Sequence, residues 1–211
     1  MITHALVILQ KELEEHLKVY PSPDNTTKVV LGNMAEGLDP VSGNGAVERG
    51  KIVLSIVNIR EEKALKNLPN YVRNDATLKA AYENPPVYLN FLLLVCATHT
   101  GYENATLYLS RVIRYFQYKN VFTQDDVAPG LLEKTAPMTD MDILETFKLI
   151  VDLYSPSMEE VNHLWGTLGG KQYPFALYML RMLDLQYKAV PRESGLITEV
   201  VSDFYHKNTR N

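Results

Sequence analysis

Hydrophobic residues recur along the first part of this chain at the spacing of a helix. Between Ile2 and Tyr20 they fall on one side of a 3.6-residue turn, with charged residues opposite, and Pro21 follows. This pattern predicts an amphipathic helix that ends before the proline. The same spacing predicts a second helix over residues 103–118. The apolar residues that predict its core face are Ala105, Leu109, Val112, Ile113 and Phe116.

A third helix is marked by its end signals. Ser157 is followed three residues later by Glu160, and this spacing lets each side chain bond the free backbone N–H of the other residue. Gly169 comes directly after the last apolar position and is typical of a helix end. The residues between them therefore predict a helix with Trp165 on its apolar face. This position favours packing in the core over the alternative, an aromatic binding platform formed with Gly169 and Gly170.

Apolar runs between these helices predict strands. They are residues 52–59, 87–98, 146–154, 173–188 and 196–205; residues 173–188 also fit a helix, but Pro174, the aromatic residues and the preceding Gly-Gly favour a strand. The first two are apolar at nearly every position, as in strands that are covered on both faces, whereas residues 146–154 alternate and have one wetter face. Together with the three helices, these strands predict a mixed α/β (α+β) fold. We expect a single domain over residues 1–211, in which helices flank a central, mainly antiparallel or mixed sheet.

Three segments show neither the helical nor the strand spacing of apolar residues. Residues 22–50 are rich in proline, glycine and asparagine, and so long a loop in a domain is usually functional or disordered. We expect a flexible loop or arm there and a second irregular segment over residues 123–142. A charged, asparagine-rich link joins the first two strands, and residues 75–82 within it predict a short helix or turn.

Composition narrows the function classes. The formal net charge of −4 provides no basic surface for nucleic acid or for an anionic membrane. The longest apolar run is far shorter than the roughly 20 residues of a membrane-spanning helix, and residues 1–17 lack the pattern of a signal peptide. We therefore expect a protein that assembles in the cytoplasm, without nucleic-acid or membrane partners.

A glycine-rich stretch indicates one alternative function, that of a nucleotide-dependent enzyme. Residues 45–51 read GAVERGK, which matches a phosphate-binding loop up to its last position. That position needs a Ser or Thr to hold Mg²⁺, and here it is Ile52. A phosphate loop also opens a helix, whereas residues 52–59 predict a strand. We interpret the stretch as a loop before the first core strand.

The remaining chemical candidates are isolated. Glu159 and His163, four residues apart, could share a metal ion, but no further His or Cys lies near them in the sequence, and a zinc site needs at least three protein ligands. Cys96, the only cysteine, lies in the apolar run LLLVCA and predicts a buried side chain. The sequence thus predicts no catalytic residue, no cofactor site and no metal site, and we expect a protein that is not an enzyme.

The helix over residues 103–118 carries a second stripe of larger polar residues. Tyr108, Arg111, Tyr115 and Tyr118 fall at helical spacing, away from the predicted core face. Tyr and Arg are enriched where proteins bind proteins. This stripe is the predicted protein interface; the alternative is that its side chains extend around the edge of the core.

Five segments, in order, resemble one family. They are VVLGNMA at 29–35, IVLSIVNI at 52–59, NPPVYLN at 84–90, the pattern from Tyr102 to Gln117, and NHLWGTLGGK at 162–171. Together they resemble the cap, or tube-terminator, proteins of phage-tail-like contractile injection systems of the antifeeding-prophage type. The resemblance covers residues 4–189 and is weakest after Tyr187.

The resemblance implies a phage tail-terminator-like fold and a structural role. Members of this family form a ring of six at the distal end of the inner tube, end tube growth and join the last sheath layer. The implied partners are further copies of the chain, the inner tube protein and the sheath protein. The family has no catalytic residue that would transfer to this chain. A monomeric adaptor or binding module is the other alternative.

Overall fold

The computed structural model describes residues 1–20, 28–38, 47–65, 69, 71–74, 76–82, 84–131, 133, 137–185, 192–195 and 199–202. The chain divides into two compact units. The larger unit comprises Met1–Lys63 with Val87–Leu185, and the smaller comprises Ala64–Pro86 with Gln186–Asn211. The described residues contain three α-helices, as the sequence predicts: α1 (Ile2–Lys18), α2 (Tyr102–Tyr118) and α3 (Met158–Thr167).

The end signals of α3 act as the sequence predicts. Ser157 and Glu160 form the reciprocal capping box, and the Glu160 carboxylate accepts the Ser157 backbone N–H at 2.8 Å. At the other end Gly169 has φ +95°, a left-handed conformation in which a side chain would be strained. The Gly170 N–H donates to the Trp165 carbonyl at 2.7 Å, which closes a Schellman turn. Met158, which helical spacing places on the same face as Trp165, is instead exposed.

The described residues also contain nine strands. They are β1 (Val29–Leu31), β2 (Ile52–Glu61), β3 (Tyr71–Asn74), β4 (Lys79–Tyr82), β5 (Val87–Ala97), β6 (Val121–Thr123), β7 (Lys148–Tyr154), β8 (Phe175–Leu185) and β9 (Arg192–Gly195). Six of them form the sheet of the larger unit in the order β1-β2-β5-β8-β7-β6. All neighbours in this sheet are antiparallel except β1 and β2, which are parallel. This is the predicted mixed α/β fold with a mainly antiparallel sheet.

Both faces of this sheet are covered, which explains why β2 and β5 are apolar at nearly every position. Ile52 and Leu54 point into one core, with α1 and α2, whereas Val53 points into a second core with Trp165 of α3. Side chains alternate between the two faces of a strand, so one apolar run supplies both cores. Trp165 is 4% exposed and contributes to the second core, as predicted.

The smaller unit contains a three-stranded antiparallel sheet in the order β3-β4-β9. Of residues 75–82, predicted as a short helix or turn, 76–78 form a turn, whereas 79–82 form β4. The sequence predicts neither β3 nor β4. The strand predicted over residues 196–205 is not present at 199–202, which are irregular, and the other residues of that range lie outside the described residues.

The long segment over residues 22–50 is only partly described. Residues 28–38 contain β1 and a single 3₁₀ turn, Met34–Glu36, while 22–27 and 39–46 lie outside the described residues. The flexibility of this segment stays a prediction. Thr123 ends β6, and the rest of the described part of residues 123–142 is irregular apart from two 3₁₀ turns, Pro129–Leu131 and Asp140–Asp142. The expectation of one domain over the whole chain also stays a prediction.

Candidate assembly surface

The four residues of the predicted interface stripe do not share one environment. Tyr115 is 6% exposed and belongs to the core between α2 and the sheet. Tyr108 is half-buried against the same core, Arg111 is half-buried, and Tyr118 is 85% exposed. The prediction that the whole stripe lies away from the core is therefore wrong for Tyr115. The buried face of α2 is rotated towards Tyr115 and away from Ile113, which was predicted in the core and is 36% exposed.

Tyr115 connects α2 to α1 through polar contacts as well as through packing. Its hydroxyl donates to Oε2 of Glu12 at 3.3 Å, and the same oxygen accepts Nζ of Lys119 at 2.6 Å. Burial, followed by the negative charge of Glu12, raises the pKa of Tyr115 well above its usual range, so the phenol stays protonated and remains a donor. Glu12 thus accepts from both partners at the edge of the core.

Arg111 also lies between the two helices. Its guanidinium carbon is 4.1 Å from the ring centre of Tyr20 and 5.0 Å from that of Tyr108, which are distances of cation–π contact. Tyr108 in turn stacks on His99 with ring centres 4.4 Å apart. These contacts match the alternative interpretation of the stripe, since they place Tyr108 and Arg111 around the edge of the core.

A histidine completes this row of rings. His16 of α1 stacks on Tyr115 with ring centres 4.7 Å apart and meets Tyr20 edge-on at 5.8 Å. Burial, assisted by Arg114, lowers the pKa of His16, and burial, assisted by Lys51, lowers the pKa of His99. Both imidazoles are therefore held neutral where aromatic and cationic groups surround them.

The outward side of α2 carries exposed aromatic and aliphatic side chains. Tyr118 is exposed near its C-terminal end and Tyr102, 75% exposed, at its first turn. Leu107 and Ile113 are also exposed on this helix, and Arg114 lies among them. We name these five residues, Tyr102, Leu107, Ile113, Arg114 and Tyr118, the outer surface of α2. Exposed apolar groups that cluster on one face are typical of sites where another protein binds.

Only one residue of the predicted stripe, Tyr118, belongs to this outer surface. Of the other members, Leu107 was recognisable in the sequence, because helical spacing places it about 140° from Val112, whereas Ile113 lies only about 100° from Val112. Periodicity assigned Ile113 to the core because a helix face is wide and Ile resembles any other core residue. Whether the stripe binds another protein stays a prediction.

The chemical candidates have ordinary structural surroundings. Cys96 is buried, and burial raises the pKa of its thiol to about 12, so it is not a thiolate near neutral pH. His163 and Glu159 are 3.7 Å apart on the surface of α3, and no group of three or more metal-ligating side chains occurs in the described part of the chain. None of the described helices is long and apolar enough to cross a bilayer.

The glycine-rich stretch leads into a strand, as predicted. Gly50 has φ +78°, and Ile52 begins β2 directly after it. The backbone N–H of Lys51 donates to Oγ1 of Thr98 at 3.1 Å, which holds the residue against the end of β5. A phosphate-binding loop needs a helix N-terminus at this point, where its free N–H groups face the anion. Residues 39–46 lie outside the described residues.

Two solved structures resemble this fold. One is a cryo-EM structure of an extracellular contractile injection system, the PVC sheath/tube terminator in its extended state, with a TM-score of 0.56 and 12% sequence identity. The other is the anti-feeding prophage cap, a tube-terminating cap, with a TM-score of 0.52 and 11% identity. The matches cover 97% and 93% of this chain. They cover 65% and 60% of the two neighbours, so this chain spans less than two thirds of their length.

No curated protein matches the sequence. The model of one protein family, described as the Pvc16 N-terminal domain, matches residues 5–199. The family match and the two structural neighbours confirm the resemblance to tube terminators of contractile injection systems that five sequence segments indicate. The chain belongs to the Pvc16 N-terminal domain family.

Proposed function

We propose that this chain caps the distal end of the inner tube of a phage-tail-like contractile injection system. In this role it ends tube growth and joins the last layer of the sheath. The observation that supports the proposal is that both structural neighbours, a sheath/tube terminator and a tube-terminating cap, match nearly the whole of this chain. The proposed role is structural and requires no catalytic group.

The cap acts as a ring of six copies that assembles in the cytoplasm. A tube end is cyclic, and a head-to-tail interface that closes on itself covers such an end without offering a site for further growth. The ring requires each copy to bind its neighbour and the tube through separate surfaces. The outer surface of α2 is one of them, because it presents apolar and aromatic groups together with Arg114, whereas the opposite side of the helix is used by the core.

Deletion of the gene in a particle-producing strain tests the role. We expect tubes of uncontrolled length or unstable particles, because nothing ends the growth of the tube, and we expect a plasmid copy of the gene to restore uniform length. Electron microscopy of purified particles measures the length distribution. Particles of normal, uniform length from the deletion strain would contradict the proposal.

The ring is tested separately by the mass of the purified protein, alone and after addition of short tubes. We expect a six-fold assembly on the tube end. A single copy that binds the tube without forming a ring would support a monomeric adaptor and would remove the ring from the proposal. Incubation with nucleotides provides a further check, since a cap is expected to show neither binding nor turnover.

A further inference from the structure

A cavity of about 370 Å³ lies in the larger unit, beside the end of α3, and the capping role does not account for it. It is formed where the 3₁₀ turn after β1 meets the residues that follow α3. The residues that line it are Met34, Ala35, Glu36, Gly37, Leu38, Arg49, Trp165, Leu168, Gly169, Lys171 and Tyr173. Its volume is at the lower end of the range for ligand sites, about 300–1,000 Å³, which fits one large side chain with its backbone.

The deeper wall of this cavity is apolar. Met34 and Trp165 are buried, and Leu168 and Tyr173 are half-buried against the same core. The rings of Trp165 and Tyr173 lie 6.1 Å apart. Aromatic and aliphatic groups arranged in this way favour an apolar side chain over a strongly hydrated ion.

The outer wall carries charge. Arg49 and Lys171 are both exposed, and in the part of the chain that the structure describes neither has an acidic partner. Glu36 is the acidic residue of the lining, and its carboxylate accepts Nδ2 of Asn33 at 3.3 Å. Two cations against one carboxylate leave the mouth of the cavity with a net positive charge, which complements a single negative group.

Trp165 contributes no accessible donor to this wall. Its indole Nε1 is buried and has no hydrogen-bond acceptor among the described residues. A buried donor without an acceptor costs about 1–3 kcal/mol, and this N–H is enclosed by the protein instead of open to the cavity. Arg49 and Lys171 are thus the two cationic side chains of the lining that are open to solvent and have no acidic partner among the described residues.

We infer that this cavity binds an extended segment of a partner protein through an apolar side chain with a carboxylate beside it. The apolar side chain packs on Trp165 and Tyr173, and the carboxylate pairs with Arg49 and Lys171. A carboxylate fits better than a phosphate, because Glu36 disfavours a second negative charge and the deeper wall offers no polar shell. The inference does not depend on the capping role.

Trp165 provides the measurement, because it is the only tryptophan of the chain. The probe is N-acetylphenylalanine, which joins an aromatic side chain to a carboxylate, and the matched neutral probe is N-acetylphenylalaninamide. We expect the acid to change the tryptophan emission with a saturable dependence on concentration and the amide to bind at least about tenfold more weakly, since a hydrogen bond to a charged group is worth roughly 1.5–3 kcal/mol.

Charge-removing variants provide the control. Arg49→Gln with Lys171→Gln should weaken binding of the acid by about tenfold or more and leave the unfolding midpoint unchanged. Lys18→Gln with Lys148→Gln removes two exposed cations elsewhere on the larger unit and should leave the titration as it is. Variants of the outer surface of α2 should also leave it unchanged, so that failure of this inference is separate from failure of the capping role.

Three results would overturn the inference. One is the absence of any saturable response to the acid at millimolar concentration. Another is equal binding of the acid and the amide, which would indicate an apolar cavity that does not recognise a carboxylate. The last is a response to inorganic phosphate as strong as the response to the acid, which would indicate a general anion site.

Discussion

Tyr115 and Tyr118 lie three residues apart on α2 and have opposite surroundings. Tyr115 is packed in the core and donates to Glu12 of α1, while Tyr118 is 85% exposed. One side of α2 therefore packs in the core of the larger unit, and the other side exposes apolar groups to solvent. If the outer surface binds a neighbouring copy or the tube, changes on the two sides of this helix should affect different measurements.

The largest expected effect is on stability, at Tyr115. Tyr115→Ala leaves a cavity beside Phe116 and Phe122 and should lower the free energy of unfolding by about 3–5 kcal/mol, as for other buried aromatic rings. Arg111→Ala with Tyr115→Ala should destabilise the protein at least as much. Chemical denaturation measures both. Tyr115→Phe is the matched control, because it keeps the ring and loses only the bond to Glu12, at a cost of about 1 kcal/mol. A stable Tyr115→Ala variant would refute its place in the core.

The next effect is on assembly, at the outer surface. Tyr102→Ala with Tyr118→Ala should change the free energy of unfolding by no more than about 0.5 kcal/mol per residue, since both rings are exposed. The same variant should weaken ring or particle assembly by about 2 kcal/mol or more if these rings are central anchors of an interface. Gln117→Ala, an exposed change on the same helix, is the control. Normal assembly of the double variant would remove this surface from the proposal.

A smaller effect on the free energy of unfolding is expected at Arg111, which lies between the buried and the exposed side of α2. Arg111→Ala removes the contacts with Tyr20 and Tyr108 and should lower the free energy of unfolding by about 1 kcal/mol. Arg111→Lys keeps the charge but loses the planar group, so its effect should be smaller. If Arg111→Ala weakens assembly and leaves the free energy of unfolding unchanged, Arg111 belongs to the exposed side of α2 and not to its buried side.

The smallest effect concerns pH. The pKa values of His16 and His99 are lowered in the folded protein, so the unfolded chain binds more protons between each lowered value and about 6.5. The two histidines therefore contribute fully to the free energy of unfolding above about pH 6.5. This contribution declines as the pH falls towards their pKa values in the folded protein. We expect His16→Gln with His99→Gln to flatten this decline in thermal unfolding. His163→Gln, at an exposed position, should leave the decline unchanged; an equal flattening would show that His16 and His99 are not its source.

Local signals in the sequence were sufficient for much of the fold. The capping box at Ser157, the glycine at 169 and the apolar runs of β2 and β5 depend on neighbours within a few residues, and all of these predictions are confirmed. The short strands β3 and β4 were missed because each has four residues and only a turn between them as a signal. β1 pairs in parallel with β2, and no pattern of neighbouring residues in either strand predicts this pairing.

The sequence by itself determined the period of α2, its ends to within one residue, and the family to which the chain belongs. It correctly placed Ala105, Val112 and Phe116 in the core but did not determine the edge of the buried face of α2, because Tyr115 and Ile113 both suit a core. The tertiary structure decided this through α1, whose Glu12 and His16 hold Tyr115 inward. It also decided the cavity beside Trp165, because residues from three distant parts of the chain form its walls. Contacts between distant residues depend on packing, and a pattern of neighbours along the chain carries no record of them.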